Sequence, residues 1–116
     1  MKNTSFESRV ISWLMQDGWQ VFVPMLDHGH QTDILISDGP KYYRIQVKTI
    51  EANGDDQEVF NCWETSNVDV VIYFARNSNW GVIAPAFKEK KRLLQHDGHR
   101  KFLQNRKDFL REFHLV

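Results

Sequence analysis

Cysteine is nearly absent: Cys62 stands alone in 116 residues. One thiol forms neither an internal disulfide nor a thiolate metal cluster, so a reducing, intracellular and cytoplasmic setting is expected. Long apolar runs are missing too. No stretch approaches the roughly eighteen apolar residues of a membrane span, and Met1-Lys2-Asn3-Thr4-Ser5 leads into no apolar segment of the secretory type. The six glycines form no phosphate-cradling loop and no Gly-x-Ser-x-Gly elbow, so nucleoside-triphosphate and serine-hydrolase chemistry have no support. An excess of one charge is also lacking, since fifteen Lys and Arg balance fifteen Asp and Glu.

What is present suits a folded chain. Hydrophobic residues make up 41% and charged residues 26%, and no repeat or linker divides residues 1–116, which are read as a single domain. The zero net charge conceals a strong asymmetry. Between Phe87 and Arg111 there are nine positive and three negative charges, a balance of +6 that leaves −6 for the rest. Lys88, Lys90, Lys91, Arg92, Arg100, Lys101, Arg106 and Lys107 in that block are candidate phosphate contacts beside an acidic body. A solvated basic face on two amphipathic helices explains the same block without a ligand.

Periodicity predicts the elements. Phe6, Val10, Trp13 and Leu14 recur at helical spacing over residues 5–17, with Thr4 as N-cap and Asp17-Gly18 as stop. Residues 19–25 alternate as a strand, with Pro24 near its end. Asp33–Ser37 and Tyr42–Ile50 read as two strands around the turn Asp38-Gly39-Pro40-Lys41. Residues 51–66 carry no clear pattern. Val68–Phe74 and Trp80–Ala84 read as strands about the turn 76–79, and helices are expected at 87–95 and 100–113. The order gives an α+β fold with an N-terminal helix, a mixed sheet containing an antiparallel meander, and C-terminal helices.

The strand at 42–50 concentrates the chemistry. With period two, Tyr43, Ile45 and Val47 face a core, while Arg44, Gln46 and Lys48 face the other way. A hairpin closed at 38–41 pairs Ser37 with Tyr42, Ile36 with Tyr43, Leu35 with Arg44 and Ile34 with Ile45; one step further, Asp33 meets Gln46. Glu7 lies at the margin of the helix's apolar stripe, from which it can point to the sheet. Two carboxylates, an amide oxygen and a lysine then converge, an oxygen-rich set that suits Mg²⁺.

These residues resemble a known family. Ser5-Phe6-Glu7, Gly18-Trp19-Gln20-Val21, Asp33-Ile34-Leu35-Ile36 and Ile45-Gln46-Val47-Lys48-Thr49 are similar to the motifs of the PD-(D/E)XK nuclease superfamily, above all its archaeal-type Holliday junction resolvases. Val68–Phe74 and Trp80–Pro85 look more like its intron-encoded homing endonucleases, which also use glutamine in the third position. The resemblance implies a restriction-endonuclease-like core in which Glu7, Asp33, Gln46 and the carbonyl of Val47 hold Mg²⁺ or Mn²⁺ and Lys48 is the catalytic lysine. It also implies DNA, branched or duplex, as partner, and two active sites brought together in a homodimer. The sequence departs from the pattern at Thr32, which replaces the eponymous proline, and at Gln46, which replaces an acid.

Each residue has a plainer role as well. Thr4-x-x-Glu7 is a capping box, Asp33 starts a strand, and Asp69 is structural or supports the site. Glu89-Lys90-Lys91 repeats the acid-x-Lys pattern without a partner aspartate. His28-Gly29-His30 has the form of a metal pair, yet no second cluster has ligand spacing and a loop at the mouth of the site explains it as well; Trp63 is the tryptophan least tied to an apolar stripe. A binding protein that kept the fold without catalysis, or a module for an acidic protein partner, are the readings from other functional classes.

Overall fold

The computed structural model describes residues 4–23, 33–51, 57–61 and 68–116, with Thr4 and Ser5 by backbone alone. Helix α1 spans Thr4–Gln16. It stops where Gly18 takes φ +97, a conformation open to glycine at no steric cost. Gly18 N–H then reaches Met15 O at 3.1 Å and Trp19 N–H reaches Leu14 O at 3.0 Å, the paired bonds of a Schellman cap. The apolar stripe of α1 buries Val10 and Leu14 completely.

Strands β1 (Gln20–Phe22), β2 (Ile34–Ser37) and β3 (Tyr42–Glu51) form the antiparallel meander. The β2–β3 register matches the pattern expected for Ile34 through Ser37. Its turn uses Gly39 at φ +116, and Asp38 Oδ1 accepts Lys41 N–H at 3.1 Å. Strand β4 (Glu58–Phe60) comes from the segment without a pattern. β5 (Val70–Arg76) then runs parallel to β3, and β6 (Trp80–Pro85) returns antiparallel. β7 (Lys91–Leu93) pairs with β4 as a separate ribbon, and β8 (Arg100–Leu103) closes the main sheet in the order β1-β2-β3-β5-β6-β8. Helix α2 spans Arg106–Phe113.

The C-terminal third departs from the helices expected there. Phe87 and Leu94 are seven apart, a helical spacing, yet both insert into one apolar cluster from the segments on either side of β7. Residues 100–103 alternate instead of following a helical period. Phe102 points inward beside Gly81, and β8 pairs with β6. The helix begins only after Asn105, whose side chain accepts Asp108 N–H at 2.8 Å as an N-cap. Among the described residues the C-terminal region holds one helix of eight residues, not two helices.

Two apolar clusters lie on opposite faces of the sheet. On one face, α1 and α2 cover Ile34, Ile36, Ile45, Ile72, Phe74 and Phe102. On the other, residues 87–94 and Val59 of the ribbon cover Val71, Tyr73, Val82 and Ala84. Only this second face receives Gln46 and Lys48, because their partners in the parallel register are Val71 and Tyr73.

Candidate active site

Asp33 ends the β2–β3 ladder in a way that pairing alone does not predict. Ile34 is the last residue in register, opposite Ile45. Asp33 N–H also addresses Ile45, donating to its carbonyl at 3.0 Å. Two consecutive residues of one strand therefore oppose one of the other, the arrangement of a β-bulge. The expected pairing of Asp33 with Gln46 is replaced by a side-chain contact one residue further on. Asp33 Oδ2 accepts the N–H of Val47 at 2.8 Å, extending the hydrogen bonding of β3 beyond the end of β2. The carboxylate is buried, with only 8% of the residue exposed.

This bond also orients the neighbouring carbonyl. In an extended strand the N–H and C=O of one residue point to the same edge. Val47 C=O therefore faces the side on which Asp33 stands. Gln46, 7% exposed, and the half-buried Lys48 flank Val47 on the face away from the helices. Lys48 forms no ion pair with any described carboxylate. An aspartate oxygen, an amide and a backbone carbonyl are hard donors of the type Mg²⁺ and Mn²⁺ select, so the residues present fit such an ion in chemistry. Among the described residues no group of three His, Cys, Asp or Glu side chains gathers as a metal site. An ion here would depend on the Gln46 amide and the Val47 carbonyl to complete its shell.

Glu7 approaches from elsewhere. Helix α1 lies on the opposite face of the sheet, where Phe6 stacks on Phe74 at 4.4 Å between centroids. Phe74 is the register partner of Thr49, so the first turn of α1 packs beside the part of the sheet that follows Lys48, and Glu7, next to Phe6, is half-buried. Asp33 meets Val47 through its side chain, and Gln46 and Lys48 flank Val47 on β3; Glu7 belongs to a different element, on the helix side of the sheet. The capping contact expected of Thr4 lies outside the described side chains, as do Pro24, His28, His30, Thr32, Cys62 and Trp63.

Asp69 has a structural explanation. Its carboxylate accepts Arg44 N–H at 2.7 Å, its own N–H bonds Arg44 O at 2.8 Å, and its carbonyl accepts Ala86 N–H at 3.0 Å. It starts the parallel pairing of β3 with β5 and thereby sets the level of Gln46 and Lys48.

The basic block does not form one helical face. Lys88, Lys90, Lys91 and Arg92 lie on the segment covering the second face; Lys91 pairs with Glu58 at 3.4 Å and Arg92 with Glu89 at 2.6 Å. Lys101 joins them, since its register partner Val82 belongs to that cluster. Arg100 and Arg106 turn to the helix side, where they meet Glu112 at 2.9 Å and Gln16 respectively, and Lys107 is exposed on α2. Five of the eight candidate contacts thus share the face of Gln46 and Lys48.

Two groups in this region titrate away from their ordinary values. The Arg92 guanidinium, bonded to Glu89, holds that carboxyl low. Burial, with Arg92 and His96 nearby, pushes His99 down despite its hydrogen bond to the Leu94 carbonyl. In the sequence His96, His99 and His114 show no partner spacing that suggests zinc, and the partners of His99 come from a strand and turn where periodicity predicts a helix.

No family model matches the chain, and no curated protein matches it. Among solved structures, a bacterial homing endonuclease, I-Ssp6803I, is similar in fold, with a TM-score of 0.55. The alignment covers 85% of this chain and 70% of that one at 14% identity.

Proposed function

We propose that this chain is a metal-dependent DNA endonuclease whose active site comprises Asp33, Gln46, Val47, Lys48 and Glu7. The observation that carries the reading is the bulge at Asp33. It aims a buried carboxylate at the Val47 backbone, between two polar side chains on the sheet face away from the helices. A structural cap alone requires neither Gln46 nor a half-buried lysine beside it. The fold likeness to a homing endonuclease supports the same reading.

Asp33, the Gln46 amide and the Val47 carbonyl would hold Mg²⁺ or Mn²⁺, with Glu7 contributing from the helix. The ion would supply Lewis-acid polarisation of a phosphoryl oxygen and an acidified water. Lys48 donates to the phosphate oxygen on which charge develops, and its partly buried setting strengthens that attraction relative to open water. Cations on the same face bind the DNA backbone, so affinity falls steeply with salt. Two such sites in a homodimer would cut both strands.

Two substrates remain in play, each with its own support. The motifs of the first half favour branched DNA, as for a junction resolvase. The likeness to a homing endonuclease favours the other reading, a sequence-specific endonuclease that cuts duplex DNA. Labelled four-way junction and linear duplex, incubated with Mg²⁺, Mn²⁺ or EDTA, decide between them. Cutting that needs metal and disappears in Asp33→Asn and Lys48→Met is the expected result. Tight binding without cutting in any metal would replace the proposal with a non-catalytic DNA-binding role.

A further inference from the structure

A second cluster on the same face of the sheet lies apart from Asp33, Gln46 and Lys48. A cavity of about 220 Å³ opens between β6, β8 and the turn after β7, lined by Val82, Leu94, Gln95, His99 and Lys101. At about 30 Å³ per water in the liquid, it has room for several waters or one tetrahedral oxyanion.

The charges around it are unbalanced. Arg92 uses Nε and one terminal nitrogen on Glu89, at 2.6 and 3.3 Å, and directs the other at His99 Nε2, 3.5 Å away. The His96 and His99 rings lie 5.3 Å apart between centroids. Lys101 approaches from β8, with its ammonium 4.9 Å from the Trp80 ring centroid. Against Arg92, Lys101 and two titratable imidazoles stands Glu89, already engaged, while the exposed Asp97 meets His96 through its backbone carbonyl at 2.6 Å. Arg92 is balanced by Glu89, whereas no described carboxylate pairs with Lys101, so an anion arriving here meets an uncompensated cation.

The imidazole is set to respond to one. His99 Nδ1 lies 3.0 Å from the Leu94 carbonyl, which only accepts, so the proton sits on Nδ1 and neutral Nε2 faces Arg92. Protonating Nε2 turns that acceptor into a second donor beside the Arg92 nitrogen. Burial and neighbouring cations oppose this step in the free protein; an arriving anion reverses the balance.

We propose that Arg92, His99 and Lys101 form a phosphate-binding subsite that grips a backbone phosphate of DNA away from the scissile bond. Its position relates to the first site through strand register. Lys48 pairs with Tyr73, Tyr73 with Val82 and Val82 with Lys101, one row across four strands on a single face. At about 4.8 Å per strand the Cα atoms of the two lysines stand about 14 Å apart. That equals about four base-pair steps along a duplex axis at 3.4 Å each. Identifying the phosphate as one of DNA rests on the nuclease reading; the anion site itself does not.

The test follows the His99 imidazole by NMR in the full chain during pH titrations, alone, with inorganic phosphate, and with a non-specific duplex oligonucleotide. Both ligands are expected to raise its midpoint. Duplex affinity should increase between pH 8 and pH 6, and His99→Gln should remove that increase. Lys101→Met, an exposed change that spares the core, should weaken binding 3- to 10-fold and lower the salt slope by about one. A midpoint raised by inorganic phosphate but not by the oligonucleotide would overturn the DNA assignment. A midpoint that neither ligand moves would overturn the subsite altogether, and metal-dependent cutting by the same sample would show that the nuclease reading survives it.

Discussion

The Asp33 carboxylate holds the backbone N–H of Val47 at 2.8 Å, across a bulge that ends the pairing of β2 with β3. One side chain thereby both terminates a ladder and presents oxygen next to Gln46 and Lys48. The two roles separate by substitution. Asp33→Asn keeps an acceptor for Val47, so the fold should survive while metal-dependent cleavage is lost. Asp33→Ala removes the acceptor as well and should cost a further ~2 kcal/mol of stability. Urea unfolding of both variants, alongside the cleavage assay, checks this; equal stability would deny the structural role.

Gln46 leaves the proposed site one carboxylate short of three. Gln46→Glu should bind Mg²⁺ several-fold more tightly, as measured by calorimetry. Without metal, its new buried charge beside Asp33 should lower the melting temperature, and Mg²⁺ should restore it. A variant that gains no Mg²⁺ affinity would place the metal elsewhere.

Gly81 is demanded by close approach. A Cβ there would meet the Tyr73 carbonyl at 2.4 Å and the Phe102 ring at 2.4 Å. Backbone cannot yield as a flexible side chain does. Gly81→Ala should therefore destabilise by about 2–3 kcal/mol through overpacking between β5 and β8. Thermal unfolding reads the effect, and a variant as stable as the parent would contradict this packing.

His99 titrates below its ordinary value of 6.5 in the folded state because burial disfavours its charged form. Below pH 6.5 the unfolded chain binds the proton more readily than the folded one. This histidine's contribution to stability is thus complete above about pH 6.5 and declines as pH falls through that value toward the lower folded pKa. Denaturant unfolding between pH 5 and pH 8 should show the slope, and His99→Gln should flatten it. Phosphate should flatten it too, by binding the protonated folded form.

Much of the architecture was legible because it is local. Periodicity located α1, and Asp17-Gly18 located its end. The alternation of Tyr43, Ile45 and Val47 against Arg44, Gln46 and Lys48 assigned faces, since period two leaves one way to bury three apolar residues. The turn at 38–41 then set the register of Ile34 through Ser37. Residues 87–95 and 100–103 depart from the helices that periodicity predicts; Phe87 and Leu94 happen to stand at a helical interval. Their environment depends on β4 and β6, which come from distant parts of the chain.

Sequence by itself determined which residues can meet across a hairpin and which side of β3 carries the polar groups. Local turn chemistry and side-chain alternation are enough for that. Tertiary structure decided the rest: the bulge that turns Asp33 to Val47, the placing of Glu7 on the opposite face, and the division of the basic block between two faces. It also decided the meeting of Arg92, His99 and Lys101, because β8 reaches its place only by pairing with β6. Such contacts are set by the closing of a six-stranded sheet, and no short window of sequence contains the strands that close it.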